Sequence, residues 1–565
     1  MRLTQSIYSL AIMAAIGAAS LTAGKKAVGQ AEFSSFVYIG NDDYYNANPL
    51  KGDGDFYNPV IAGWYSDPNV VRTGEDYYLV TSTFGYFPGV PLYHSRDLVN
   101  WRLVRNILDR PEQLPGLVGQ SLDRGGIYAP QISYNPHNST YYMITTDVGS
   151  KEGHFYVTAT DPEGSWSNPV WLKGIDGIDP SLFFDDDGSA YIVYKEDTTG
   201  RPKWSNYRCI RFIAFDPESG QTVGDSWPLA EAGVGPEEHL DRDEGPHIYK
   251  IDGRYFLICA EGGTSNHHSA VIYRADSLRG EFTRWSRNPA LTQRYLKEKR
   301  TNPITCTGHA DLVMTPEGEW WGVFLGCRPG PGGFQALGRE TYLMPVKWSR
   351  DGFPYFTQSQ DTVPLTLHRE GVKHDPSWGS SGNFTWSDHF KGESLRPEWI
   401  GLRGTTADYC HLDGECLRMQ CCRELSTGKG VPAYVGRRIQ HHKFEASTRV
   451  RFKPRNGGES AGLLMLKNES RQYYLAVCGD RVELRTLSPK EVRVIASAEM
   501  PCKAGRDVEL RVVSDGICYD FYVREAARDA EWTPVAEDVD ASYLACERTG
   551  GFTGATIGLY VESRD

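Results

Sequence analysis

The segment SDPNVVRTGEDYYLVTST, Ser66–Thr83, combines an Asp-Pro turn, an apolar run, a polar turn with Gly74 and an aromatic-rich second run. Two such runs around a glycine-containing turn are typical of an antiparallel hairpin. The same pattern returns four times further along the chain. The later copies are YAPQISY with TYYMITT, IDPSLFF with SAYIVY, EGPHIYK with RYFLICA, and GHADLVM with EWWGVFLG.

The five copies are spaced like blades of a propeller. Their anchor positions lie 62, 50, 66 and 64 residues apart, and each interval suits a four-stranded antiparallel sheet with its loops. The pattern therefore predicts an all-β fold that begins with a five-bladed β-propeller. Because the first strand of each blade runs along the central axis, residues at the same point of each copy should converge. Those residues are Asp67, Ala129, Asp179, Gly245 with Glu244 beside it, and His309.

Three acids would meet at this point: Asp67, Asp179 and Glu244. A single Asp-Pro or Gly-Pro phrase is ordinarily a turn device. Three carboxylates at one channel mouth repel one another, and proteins keep such clusters for metals or for acid–base chemistry. Glycosidic-bond hydrolysis needs one protonated and one ionised carboxyl group, and a third acid can raise the pKa of the proton donor. The cluster is thus consistent with glycoside hydrolysis.

Several motifs together resemble glycoside hydrolase family 43, most closely its exo-acting β-xylosidase and α-L-arabinofuranosidase branch. The resemblance covers residues 56–350 and implies a five-bladed propeller and an inverting mechanism. It implies that Asp67 is the general base, that Glu244 is the general acid, and that Asp179 orients Glu244 and tunes its pKa. The motifs are NPVIAGWYSDPNV, STFGYFPGVPLYHSRDLVNW, GIYAPQISY, GIDPSLFFDDDG, DEGPHIYK, GHADLV and GRETYLMPVKW.

The same resemblance suggests residues that contact substrate or metal. Arg339 would contact sugar hydroxyls, and a surface ion pair is the alternative role. Phe84 would form a wall of the terminal sugar site, with core packing as its alternative. Tyr128 stands where xylosidase relatives usually carry Trp. The smaller ring of Tyr128 would reshape the substrate pocket. His309 matches a position beside a calcium ion or water cluster, although a single histidine is more often hydrogen-bonded than metal-bound.

The last third of the chain has a different pattern. Residues 371–384 are rich in Gly, Ser and Pro and are interpreted as a linker. Beyond them, alternating segments such as EASTRVRF and VELRVVSDGICYDFYVRE predict an antiparallel β-sandwich over residues 385–565. This part resembles the C-terminal domain of xylosidase-type relatives, which implies that one of its loops helps to close the active site. An independent carbohydrate-binding module is the alternative role.

Composition and motifs argue against nucleic-acid binding, cofactor-dependent chemistry and a zinc site. The formal net charge is −12 and there is no basic run, which argues against nucleic acid as a partner. No P-loop, GxGxxG, HExxH or GxSxG motif is present, so no cofactor is expected to be required, apart from a calcium ion beside His309. The twelve cysteines include no CxxC pair, which gives little support for a zinc site.

The N-terminus is predicted to be an export signal. Arg2 precedes an apolar run from about Ile7 to Ala23, and cleavage is expected after Ala23 or Ala31. An uncleaved membrane anchor is the alternative, because the run approaches spanning length. The predicted division is therefore a signal peptide over 1–31, a propeller over 32–370, a linker over 371–384 and a sandwich over 385–565. After signal cleavage no membrane-spanning segment is expected, and the protein would be periplasmic or secreted.

Taken together, the residues and the resemblance predict an exported, inverting exo-glycoside hydrolase. Its substrate would be an oligosaccharide or polysaccharide of the plant xylan or arabinoxylan type, from which it releases a terminal pentose. A β-xylosidase is the first interpretation and an α-L-arabinofuranosidase the second. A non-catalytic carbohydrate-binding propeller is a third interpretation, from a different functional class.

Overall fold

The computed structural model describes residues 28–197, 208–232, 243–297, 299–527 and 529–564. Of the predicted export signal, residues 1–27 lie outside the described residues. Strands dominate, which confirms the all-β class, and the helical elements among the described residues are short. The α-helices are Asp43–Ala47 and Cys546–Thr549, and the 3-10 helices are Pro111–Gln113, Pro376–Trp378 and Ala541–Leu544.

Five antiparallel sheets, numbered here in chain order, follow the five sequence repeats. Their strands are as follows: in sheet 1, Asn69–Thr73, Asp76–Val80, Gly89–Ser95 and Arg102–Leu108; in sheet 2, Ile127–Asn135, Thr140–Asp147, Gly153–Ala159 and Val170–Trp171; in sheet 3, Ile178–Phe184, Ala190–Lys195, Arg208–Asp216 and Gln221–Ala232; in sheet 4, Glu244–Ile251, Arg254–Glu261, Ser269–Ala275, Thr283–Arg284 and Leu291–Thr292; and in sheet 5, Thr305–Met314, Trp320–Cys327 and Arg339–Pro345.

The start of each first strand has the same unusual backbone. In sheets 2 to 5 the register shifts there, which marks a β-bulge. A residue in the left-handed region occupies every one of the five equivalent positions, although only one of them is glycine. Bulges of this kind turn side chains away from the regular alternation of a strand. The φ angles are 55° at Asp67, 34° at Ala129, 56° at Asp179, 57° at Gly245 and 50° at His309.

Contacts between the sheets run in order from sheet 1 to sheet 5 and back to sheet 1. A separate apolar core lies between each neighbouring pair, and burying one such aliphatic or aromatic side chain stabilises the fold by about 1.5–3 kcal/mol. This packing brings the starts of the first strands together. Representative core pairs are Val80 with Ile132, Ile144 with Ile192, Val193 with Leu257, Ile258 with Phe324, and Leu79 with Val323.

The second unit consists of two sheets around one large core. The six-stranded sheet contains Tyr434–Arg438, Thr556–Ser563, Glu459–Asn468, Arg471–Cys478, Arg481–Leu487 and Val492–Glu499. The eight-stranded sheet contains Cys410–Leu412, Leu417–Gln420, Gln30–Gly40, Lys443–Phe452, Asp507–Asp515, Cys518–Glu525, Thr533–Asp540 and Thr385–Asp388.

The placement of the strand Gln30–Gly40 corrects the predicted division, which assigned residues 32–370 to the first domain. This strand pairs with Lys443–Phe452, where Tyr38 faces Ala446, and therefore belongs to the second unit. Phe33, Phe36 and Tyr38 are fully buried in the core of that unit, which explains why the segment joins it. The pairing joins residues far apart in sequence, so local patterning did not reveal it.

Shorter strand pairs complete the structure. Asp55–Tyr57 pairs with Thr366–His368, and Lys347–Trp348 pairs with Pro354–Tyr355. Tyr86–Phe87 of the first unit pairs with Gly401–Leu402 of the second, so backbone hydrogen bonds cross between the units.

Two further observations concern the chain as a whole. All twelve cysteines fall within the described residues, and none of them forms a disulfide there. Within the same residues, no helix has both the length and the apolar character needed to span a membrane.

Candidate active site

One pocket opens where the first strands of the five sheets begin. All seven residues predicted from the sequence line it: Asp67, Asp179, Glu244, Phe84, Tyr128, Arg339 and His309. Ala129, Ile178, Thr264, His268 and Phe552 complete the lining. The shared left-handed backbone, which accompanies a β-bulge in sheets 2 to 5, explains the convergence, because it directs the residues at these positions toward the same end of the sheets.

Asp67 is a buried carboxylate with polar partners on both oxygens. Ser82 and Ser66 donate hydrogen bonds to its Oδ2 at 2.6 and 3.0 Å. Arg339 Nη1 and His309 Nδ1 each lie 3.5 Å from its Oδ1. Burial alone would raise the pKa of Asp67, but His309, Arg339 and the two serines outweigh it and hold the pKa below its usual value. Asp67 is therefore ionised over the neutral range.

Asp179 and Glu244 are the other two carboxyl groups of the pocket, and they interact as a pair. Burial, followed by the charge of Glu244, raises the pKa of Asp179 to about 6. The Gly245 N–H donates to Asp179 Oδ2 at 3.0 Å, and Lys195 Nζ lies 4.0 Å from Glu244 Oε2. Two interacting carboxyl groups titrate as a pair, so this side of the pocket retains a proton to higher pH than Asp67 does.

Gly245 has a geometric role next to this pair. Its φ is +57°, and a Cβ there would lie 2.7 Å from Cε1 of His309. The absence of a side chain lets the His309 ring approach the strand, so that Nδ1 reaches Asp67. This explains why the fourth repeat has glycine at the position that Asp67 and Asp179 occupy in the first and third repeats.

Three aromatic rings enclose the pocket. The Tyr128 ring lies edge-on to Phe84 and to Phe552, with centroids 5.3 and 5.7 Å away. The guanidinium of Arg339 lies 4.8 Å from the centre of the Phe552 ring. Such an apolar wall beside a few polar groups is typical of sites that enclose a small ligand.

Phe552 comes from the second unit and was not predicted from the sequence. Its backbone N–H donates to Asp123 O at 3.0 Å, so its loop is docked on the first unit. The Gly550-Gly551 pair before it, with φ of 65° and 79°, is the local signal that could have marked a functional turn. This finding identifies the loop from the second unit that reaches the pocket.

His268 and Thr264 were also missed, because both lie on the connection between the second and third strands of sheet 4, outside the repeated pattern. His268 Nδ1 lies 3.2 Å from the carbonyl oxygen of Cys306, and burial lowers the His268 pKa to about 3. The ring is therefore neutral at ordinary pH and adds no charge near Arg339.

The side chains around His309 do not fit a calcium site built from protein ligands. Calcium takes six to eight oxygen ligands. Within the described residues, no group of three or more His, Cys, Asp or Glu side chains is arranged to hold a metal. His309 instead contacts Asp67 and lies 6.2 Å from the ring of His247.

Comparison with known proteins matches both units. Residues 56–354 match the model of glycosyl hydrolases family 43, and residues 387–565 match that of the β-xylosidase C-terminal concanavalin A-like domain. The second match agrees with the predicted sandwich.

Relatives match over nearly the whole chain. The non-reducing end α-L-arabinofuranosidase of Bacteroides ovatus is 36% identical, and the match covers 91% of this chain and 92% of that protein. A xylosidase/arabinosidase of Butyrivibrio fibrisolvens is 36% identical over 90% of this chain and 95% of that protein. The crystal structure of a GH43_12 protein retrieved from the capybara gut metagenome is 37% identical with a TM-score of 0.86, covering 94% of this chain and 100% of that chain. The chain therefore belongs to glycosyl hydrolases family 43 and is a glycoside hydrolase.

Proposed function

We propose that this glycoside hydrolase removes a terminal pentose from plant xylan- or arabinoxylan-type glycans by an inverting, single-displacement reaction. One observation carries the proposal: a single pocket holds an ionised carboxylate, Asp67, and a carboxyl pair, Asp179 with Glu244, that retains its proton to higher pH. Hydrolysis of a glycosidic bond requires these two protonation states at once.

In the proposed reaction, Asp67 accepts a proton from a water molecule as the water oxygen attacks the anomeric carbon. Glu244 donates its proton to the glycosidic oxygen as the bond between that oxygen and the anomeric carbon breaks. Asp179 acts through Glu244, since its negative charge favours retention of the proton on the pair. The configuration at the anomeric carbon inverts.

The remaining pocket residues would hold the terminal sugar. Arg339 presents a guanidinium in the pocket, and its contact with Asp67 supports a role in binding sugar hydroxyls beside the base. Phe84, Tyr128 and Phe552 would enclose the apolar faces of the sugar ring. A pocket closed by these rings supports exo action, because it accommodates the end of a glycan.

We further propose that sheets 1 to 5 are the blades of a five-bladed propeller. The ordered contacts from sheet 1 to sheet 5 and back to sheet 1 support this assignment, as do the five cores between neighbouring sheets. The positive φ at the equivalent position of all five first-strand segments supports it as well.

Two sugars are candidates for the terminal residue. A β-xylosidase is the first proposal, and an α-L-arabinofuranosidase is the second. Tyr128 lines the pocket, and its ring is smaller than the Trp that the resemblance to xylosidase-type relatives implies at this position, which weakens the assignment to xylose. The names of two relatives, an α-L-arabinofuranosidase and a xylosidase/arabinosidase, support keeping both sugars.

The test compares hydrolysis of an aryl β-D-xylopyranoside and an aryl α-L-arabinofuranoside, with Glu244→Gln as the control. We expect release from at least one of them, lost in the variant, and the faster substrate identifies the sugar. NMR of the first-formed sugar distinguishes inversion from retention. Release from neither substrate would contradict the pentosidase proposal.

We also propose that the protein is exported to the periplasm or the medium, with its leader cleaved after Ala23. The strand Gln30–Gly40 supports this site over cleavage after Ala31, because Ala31 is fully buried and faces Met419. Sequencing the N-terminus of protein from the periplasm or medium tests the proposal. A mature chain beginning at Glu32 would overturn the choice of site.

A further inference from the structure

The end of the strand Glu459–Asn468 brings a buried charge to the boundary between the two units. The side chain of Lys467 is fully buried, and its Nζ lies 3.4 Å from Asp123 Oδ2 of the first unit. Nζ also donates to Thr553 Oγ1 at 3.3 Å. A buried ammonium group requires such partners, so removing either charge leaves the other uncompensated.

Asp123 accepts hydrogen bonds from both units at this boundary. Its Oδ2 also accepts a hydrogen bond from Asn468 Nδ2 at 3.0 Å, while its Oδ1 accepts one from Ser121 at 3.3 Å. With 3% exposure, Asp123 is effectively removed from water. The carboxylate is therefore held by the hairpin of the second unit and by its own loop.

The same residue holds the chain that carries Phe552. The Phe552 N–H donates to the Asp123 carbonyl oxygen at 3.0 Å. A Cβ at Gly551 would lie only 2.1 Å from Asp123 Oδ2, so the glycine allows the carboxylate to lie against the turn. Lys467 contacts the residue after Phe552, namely Thr553. Phe552 thus lies between two residues that contact the Asp123–Lys467 pair.

We propose that Asp123 and Lys467 are positioning residues, whose ion pair across the domain boundary sets the place of the Phe552 ring in the sugar pocket. The sandwich would then contribute to sugar binding through this pair. The inference rests on the proposed function only for its kinetic consequence, since the contacts themselves do not depend on the substrate.

The kinetic test is a double-mutant cycle of Asp123→Asn and Phe552→Ala, assayed on the aryl pentoside that the enzyme cleaves. Each single variant should raise KM roughly tenfold and change kcat much less, because a pocket wall contributes to binding before and during the reaction. In the Phe552→Ala background, Asp123→Asn should have little further effect, since residues acting through one another are not additive. Equal losses in both backgrounds would overturn the proposal.

The control is Asp42→Asn, which weakens another buried ion pair between the units, that of Arg328 Nη1 and Asp42 Oδ2 at 2.8 Å. Neither residue lines the pocket, so the variant should lower the Tm and leave KM unchanged. If Asp123→Asn fails to fold, Asn468→Ala and Thr553→Val each remove one hydrogen bond of the network and should give the same rise in KM on a smaller scale. An unchanged KM in both would overturn the proposal.

A second readout is independent of catalysis. Hydrogen–deuterium exchange should increase in the peptide containing Phe552 in both Asp123→Asn and Lys467→Met, while peptides of sheet 3 remain unchanged. If the wild-type enzyme cleaves neither aryl pentoside, the function proposal fails and this exchange experiment still decides the positioning role. Unchanged exchange around Phe552 would contradict it.

Discussion

Arg339 connects Asp67 to Phe552: its Nη1 lies 3.5 Å from Asp67 Oδ1, and its guanidinium lies 4.8 Å from the centre of the Phe552 ring. A single cation therefore contacts both a strand-start carboxylate of the first unit and the aromatic residue that the second unit supplies. In the proposed reaction, Arg339 therefore contacts both the general base, Asp67, and the pocket wall, Phe552.

Replacing Asp67 by Asn should lower kcat by several orders of magnitude and leave the fold intact. Asn cannot accept the proton of the attacking water, and general base catalysis contributes about 10²–10⁴-fold in rate. The hydrogen bonds from Ser66 and Ser82 to Oδ2 remain available to an amide oxygen. Steady-state kinetics and circular dichroism check both parts, and an unchanged rate would eliminate Asp67 as the base.

The pH dependence of kcat/KM should be bell-shaped. Asp67, whose pKa is held below its usual value by His309, Arg339 and two serine hydroxyls, ionises as the pH rises through the acid limb, which should lie below the range of an ordinary aspartate. The pKa of Asp179 is about 6, so the carboxyl pair loses its proton as the pH rises through that region and the rate falls. In Asp179→Asn one negative charge is lost, the remaining acid releases its proton more readily, and the alkaline limb moves to lower pH.

The control for this profile is Asp187→Asn, on an exposed turn of sheet 3. It carries the same substitution in the same sheet and should leave both limbs in place. An alkaline limb that stays in place in Asp179→Asn would show that the pair does not govern it.

Replacing Lys195 by Met should move the alkaline limb in the opposite direction. The Lys195 ammonium lies 4.0 Å from Glu244 Oε2 and favours the ionised carboxylate. Without that positive charge the pair keeps its proton to higher pH, so activity should persist further into the alkaline range. A limb displaced to lower pH would show that Lys195 acts otherwise than through its charge.

Truncating Phe36 to Ala should destabilise the protein by about 3–5 kcal/mol, the usual cost of removing a buried phenyl group. Phe36 is fully buried in the second unit, and its ring lies 5.2 Å from that of Trp399. Denaturant unfolding measures the loss, with Ser35→Ala on the same strand as the control. A change below about 1 kcal/mol would contradict the placement of the N-terminal strand in that core.

The pocket could be predicted from the sequence to the extent that strand starts determine it. Asp67, Asp179 and His309 occupy the same point of a repeated local pattern, and that pattern sets their common backbone conformation. Phe552 arrives through packing between units, a relationship that no local periodicity encodes. The pairing of Gln30–Gly40 with Lys443–Phe452 was missed for the same reason.

The central claim is that Glu244 donates the proton to the leaving oxygen, and a leaving-group series tests it most directly. Wild-type and Glu244→Gln enzymes are compared on aryl pentosides whose phenols range from weakly to strongly acidic. General acid catalysis predicts a loss of about 10²–10⁴-fold with the least acidic phenols and a much smaller loss with the most acidic, which depart without protonation. An equal loss across the series would contradict the assignment of Glu244 as the acid.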